Sequence, residues 1–226
     1  MKNLLLAGAA LALVLSPSVF GQTARVRVVH ASPDAPAVDV LVDGAKVLEA
    51  LPFREYSEYL ALPAGAHRFD VNVSGTTTTV LTASPTLAAN TDYTVIAVGY
   101  AGGRTPALDV MLLTDDNSLP ANNQVKLRVV HGAPGAPAVD VYATTPFESL
   151  DAKTATLSNV PFKAASGYLT VPVSTYQARV AVAGTKNIAI DSHRLVTWAN
   201  MVRTIIAVDA RGGGAPFDFI ILPDRN

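Results

Sequence analysis

The chain has 226 residues, half of them apolar and 15% charged, with a formal net charge of -1. That length suits one large or two small domains, each able to bury a core without covalent staples. A near-neutral balance without a Lys/Arg cluster excludes a nucleic-acid partner, which needs a basic face against phosphates, and the lack of cysteine excludes thiol chemistry, thiolate metal sites and disulfides.

Read from the start, Met1-Lys2-Asn3 gives a short positive segment and Leu4 to Leu15 an apolar run, broken by Ser16-Pro17. About a dozen apolar residues are too few to span a bilayer, which takes about 20, and the pattern predicts a signal peptide over 1–21, cleaved near Gly21–Gln22. The mature chain is then periplasmic or extracellular. No cysteine follows the apolar run to carry a lipid, and no later stretch is long enough to cross a membrane.

Beyond it, Arg25 to Val28 and Val38 to Val42 alternate, and the second ends in the turn pair Asp43-Gly44. Tyr56 to Leu62, His67 to Val73, Thr77 to Leu81, Tyr93 to Tyr100 and Leu108 to Leu113 follow, with turn residues between them. About seven strands at this spacing predict an immunoglobulin-like β-sandwich. Leu48 to Tyr59 is the nearest approach to a helical period, but Pro52 interrupts it, and Asp191 to Met201 could form a helical turn around Trp198.

The whole pattern occurs twice. Residues 26–40, VRVVHASPDAPAVDV, return as 127–141, LRVVHGAPGAPAVDV, with eleven of fifteen positions identical. Leu51-Pro52-Phe53-Arg54 returns as Val160-Pro161-Phe162-Lys163, Thr94 to Val98 as Thr204 to Val208, and residues 108–116 as 217–225. A period of about 100 to 110 residues means self-sufficient folds rather than a solenoid. The expected organisation is all-β: a first sandwich over 22–116, a linker over 117–124, and a second sandwich over 125–226.

Strand phase constrains the repeated string. If Val26 and Val28 face the core, His30 shares that face at the strand end, and His131 does the same in the second copy. Asp39 and Asp140 then point the other way, which weakens a His–Asp metal or catalytic pair unless a bulge intervenes. One role for the imidazoles is to bond backbone groups freed by the prolines, with Asp34 bracing the turn. The alternative is a ligand or metal role, since imidazole is the commonest metal ligand. Because Gly135 replaces Asp34, a polar site that needs Asp34 would exist only in the first copy. The candidate positions are therefore His30, Asp34, Asp39, His131 and Asp140, with no catalytic, cofactor or metal set assigned.

Other signals are weaker. No HExxH motif or Gly-x-Ser-x-Gly elbow is present. Residues 101–104 and 211–214 read as flexible loops rather than phosphate cradles, and Asp115-Asp116 as solvated linker rather than a calcium loop. Tyr56, Tyr59 and Tyr100 could form an exposed patch for a glycan or protein, though the recurrence of Tyr59 as Tyr168 favours packing for that one.

The string at 27–40 with Val42-Asp43-Gly44, together with the stretches at 51–65 and 93–100, resembles a bacterial domain-of-unknown-function family, number 4397. The resemblance implies an exported all-β domain, often in tandem, and carries no catalytic residues over. The function expected is a non-catalytic envelope or secreted module. It would bind a protein, glycan or surface through loops at the sandwich ends. The alternative is a metal- or ligand-handling protein, or an enzyme, using His30 and His131.

Overall fold

The computed structural model describes residues 22–225; the expected signal peptide lies outside them. The first half contains β1 (Thr23–His30), β2 (Val38–Val42), β3 (Ala45–Leu51), β4 (Leu60–Pro63), β5 (Gly65–Ala66), β6 (Phe69–Val73), β7 (Thr79–Ala83), β8 (Thr86–Leu87), β9 (Asp92–Val98) and β10 (Asp109–Asp115). The second contains β11 (Gln124–His131), β12 (Val139–Thr144), β13 (Leu157–Val160), β14 (Leu169–Pro172), β15 (Thr175–Val182), β16 (Ile188–Asp191), β17 (Leu195–Val196), β18 (Val202–Val208) and β19 (Asp218–Arg225). Among the described residues there is no helix, as the interruption at Pro52 implies for 48–59, and the helical turn expected over 191–201 is corrected. Leu48 lies in a strand, and Trp198 sits in a turn after β17.

Each half is an immunoglobulin-like sandwich with one strand order. In the first, a sheet β10-β9-β1-β4 packs on a sheet β3-β2-β6-β7; in the second, β19-β18-β11-β14 packs on β13-β12-β15-β16. Both place the opening strand parallel to the penultimate one, pairing His30 with Ala97 and His131 with Ala207. Val26, Val28, Val38, Val40, Phe69 and Tyr93 fill the first core, drawn from alternate positions of both sheets.

Two four-stranded sheets make eight main strands, not seven. The additional one is β3, which pairs with β2 through the two-residue turn Asp43-Gly44, both at positive φ as such hairpins require. Its register shifts twice against β2, which scrambles the alternation a sequence reading depends on.

The two sandwiches are not beads on a string. The sheets containing β1 and β11 pack on each other through the faces turned away from their own cores. Val29, Ala31, Ile96, Val98 and Met111 meet Val130, Ile206, Val208, Ile220 and Leu222 there in one apolar cluster. The molecule is therefore a stack of four sheets. Its two middle sheets are covered on both sides, and from Tyr93 to its end β9 is buried at every residue.

Candidate functional site

The proline string is bound up with its own backbone. His30 is 1% exposed; its Nε2–H donates to the Pro36 carbonyl at 2.9 Å, and its Nδ1 accepts from the Ser32 amide at 3.3 Å. His131 repeats this with the Pro137 carbonyl at 2.9 Å and the Ala133 amide at 3.4 Å. Phe53 and Phe162 pack edge-on against the two rings. Burial lowers both imidazole pKa values, so the rings stand neutral. With both nitrogens engaged, neither ring presents a lone pair to a metal.

Asp39 is buried, at 1% exposure, rather than solvent-facing. Its carboxylate accepts from the Ala50 amide at 2.9 Å and the Gly75 amide at 3.3 Å, with Lys46 at 2.7 Å. The Lys46 ammonium, first, and the Ala50 amide hold its pKa far below the usual carboxylate range. Asp140 likewise accepts from Asn159 at 2.7 Å and Gly184 at 2.9 Å. Both carboxylates secure a residue at positive φ, Ala50 and Asn159, and no hydrogen bond joins either to its histidine. A residue can be outward in strand phase and still be covered when a bulged neighbour folds over it.

Asp34 accepts from the Ala101 and Gly102 amides, at 2.8 and 3.1 Å. The second copy keeps such a carboxylate by moving it. Asp209, which takes the place of Gly99, accepts from Gly135 at 3.1 Å and Gly214 at 2.6 Å. A Cβ at Gly135 would lie 2.6 Å from the Asp209 carboxylate, so an aspartate in both places would collide. The polar bracing is present in both halves, through Asp34 in the first and through Asp209 in the second.

A buried charged network that sequence reasoning missed lies between the sandwiches. Arg27 reaches across to Asp224 at 2.6 Å while donating to Thr94 at 2.8 Å; Arg128 reaches back to Asp115 at 2.5 Å while donating to Thr204 at 2.9 Å. Tyr59 donates to Asp115 at 2.6 Å and Tyr168 to Asp224 at 2.8 Å, each ring lying against its own arginine. All four charged side chains are buried. Asp115 is thus an ion-pair partner, not solvated linker. Burial, with the nearby aspartate, raises both tyrosine pKa values.

The tyrosine patch does not form. Tyr59 is used in this network, Tyr56 is half-buried beside the shared apolar cluster, and Tyr100, 3% exposed, donates to Asp209 at 2.8 Å. The loops 101–104 and 211–214 meet across the same junction, where Arg104 donates to the Gly212 carbonyl at 2.7 Å. At Gly213, φ is 103° and a Cβ would fall 2.7 Å from Tyr100, so only glycine fits. A signal for the junction was present in the sequence. Val95 to Val98 and Ile205 to Val208 are unbroken apolar runs, as strands covered on both faces should be.

Exposed apolar surface concentrates elsewhere. Trp198 is 56% exposed in the loop between β17 and β18, and Phe147 is 78% exposed after β12. Both belong to the second sandwich, and five residues before the β9 position matching Arg203 the first has Ala88 where Trp198 would be.

A family model described as "Domain of unknown function (DUF4397)" matches residues 24–142, spanning the first sandwich and the proline string of the second. No curated protein matches the chain. Two solved structures are similar at low identity. One, from work on alpha-glucan binding by a streptococcal virulence factor, is 12% identical over 80% of this chain and 91% of its own, with a TM-score of 0.27. The other, the family CBM26 module CBMbc from Eubacterium rectale Amy13K in complex with maltoheptaose, is 10% identical over 90% and 98%, also at 0.27. At such scores neither bears on what this chain binds.

Proposed function

The chain belongs to the domain-of-unknown-function family DUF4397, and on that footing we propose that it is an exported, non-catalytic binding module whose recognition surface lies on the second sandwich. The observation that supports this is Trp198, more than half exposed on a sandwich-end loop where the first copy has alanine. A large rigid ring with one polar edge is the side chain most enriched where proteins anchor partners, and leaving it in water has no benefit to folding. The corresponding first-copy loops carry no such group.

In this reading residues 1–21 direct export and are removed, and 22–116 and 125–226 are two units joined by 117–124. The first unit acts as a rigid mount, because its sheet is held against its neighbour by buried charge pairs. The partner is an envelope or extracellular protein or glycan. Metal handling by His30 and His131 has no support in the geometry, since backbone groups occupy their nitrogens.

The test compares wild type with Trp198→Ala and Phe147→Ala, immobilised and exposed to glycan arrays and envelope fractions. Trp198→Ala should lose retention of any bound species by about tenfold or more, as expected of an aromatic anchor, while melting as wild type does. Equal retention by Trp198→Ala would remove the second sandwich as the recognition surface.

A further inference from the structure

The two sandwich interiors are not equally filled. In the first, Phe69 faces Val42 across the β2–β6 register, and Tyr93 stands beside Val26. At the matching register positions the second has Ala178 facing Ala143, and Arg203 beside Leu127. Counting back from Tyr93 and Arg203 also places Thr197 where the first has Leu87. Each replacement removes apolar volume from the same end of the core.

What remains is a cavity of about 60 Å³, bounded by Leu127, Val129, Val141, Leu169, Ala178 and Leu195, with no polar atom facing into it. A cavity in the first sandwich, beside Phe69, measures about 20 Å³. Leu127, Leu195 and Ile205 also bound a groove of about 190 Å³ whose other walls are Val196, Trp198, Met201, Arg203 and Ile221. The cavity and the groove therefore share a wall, and Trp198 and Arg203 stand at the outer side of it. Empty apolar cavities stay dry and accept apolar guests.

Arg203 lines the outer groove. Its guanidinium lies 5.5 Å from the Trp198 ring centre, and its Nη1 donates to the Val202 and Arg225 carbonyls at 3.0 and 2.6 Å. Among the described residues no carboxylate lies within ion-pair distance of it, in contrast to Arg27 and Arg128. A half-buried cation with spare donors, beside an apolar cavity, is complementary to an acid with a hydrocarbon tail.

We propose that the second sandwich binds a small anionic amphiphile, its alkyl chain lying along the groove past Trp198 with its end in the cavity, and its carboxylate held by Arg203. This rests on the recognition role proposed above and adds a small ligand to the macromolecular partner of that surface. Trp198 is the sole tryptophan, so its emission reports on the site directly.

The experiment titrates the purified protein with octanoate and, separately, with 1-octanol, following tryptophan fluorescence. Octanoate should give a saturable change. Arg203→Met should weaken octanoate by about tenfold or more and leave octanol unaffected, since the loss is that of one charge-assisted contact. Ala178→Phe, which restores the first copy's side chain, should abolish both responses without lowering the melting temperature. If that variant melts lower, Ala143→Val, again the first copy's residue, serves as the smaller filling. No saturable response, or octanoate binding indifferent to Arg203→Met and to filling, overturns the proposal. Retention lost in Trp198→Ala without any octanoate response removes the amphiphile and leaves the recognition role standing. An octanoate response with no Trp198-dependent partner does the reverse.

Discussion

At the scale of single residues, the repeated histidines stabilise a fold that proline would otherwise leave short of donors. Proline removes amide protons and forces extended neighbours, so Pro36 and Pro137 carbonyls need partners that the local backbone cannot supply. A neutral imidazole at the strand end both donates and accepts, and does so twice in the chain. Burial lowers the folded pKa of both rings below the unfolded value of 6.5. Between those two values the unfolded chain binds protons that the folded chain refuses. The stability from these groups is therefore complete above about pH 6.5 and lost as pH falls. His67 has the opposite sign: its bond to Asp43 raises its pKa, so its contribution fades as pH rises through the folded value. The Asp43 side of that pair is more than half exposed, so the pair contributes little. The melting temperature should accordingly drop from pH 7 to pH 5, more steeply in His67→Gln. A flat profile by circular dichroism would contradict the neutral buried rings.

At the scale of elements, the middle sheets are joined by a pair of crossed ion pairs. Strands β1 and β11 each place an arginine on the face turned away from their own core, and β10 and β19 each deliver an aspartate to the opposite sandwich. Threonines on β9 and β18 and tyrosines ahead of β4 and β14 satisfy the remaining oxygens. Such pairs are costly to desolvate, so replacing both partners with apolar residues need not destabilise, whereas removing one strands a buried charge. Asp224→Asn or Asp115→Asn should each cost roughly 3–5 kcal/mol in urea unfolding. Combining Asp224→Leu with Arg27→Met should cost much less than the sum of the two single changes. Strict additivity would mean that the charges do not interact.

For the whole molecule, the shared apolar cluster makes each sandwich part of the other's core. Ile96, Val98, Ile206 and Val208 are buried only because the two middle sheets meet. An isolated half would expose that face as a continuous apolar patch, a known aggregation liability. The chain should therefore unfold in one transition, with calorimetric and van't Hoff enthalpies equal. Two resolved transitions would show that the junction contributes little.

The sequence by itself determined the all-β class, the strand-and-turn spacing and the face on which each histidine falls, because period-two alternation and turn residues are local properties. It left β3 hidden, since bulges break the alternation, and it could not say that Asp39 is covered. Only the tertiary structure decided that Asp115, Asp224, Tyr59 and Tyr168 meet, because their partners lie more than fifty residues away or in the other half. The same holds for the cavity beneath Trp198. Ala143, Ala178 and Arg203 are unremarked in the chain, and their shared consequence appears only where the register of three strands brings the missing volume to one place.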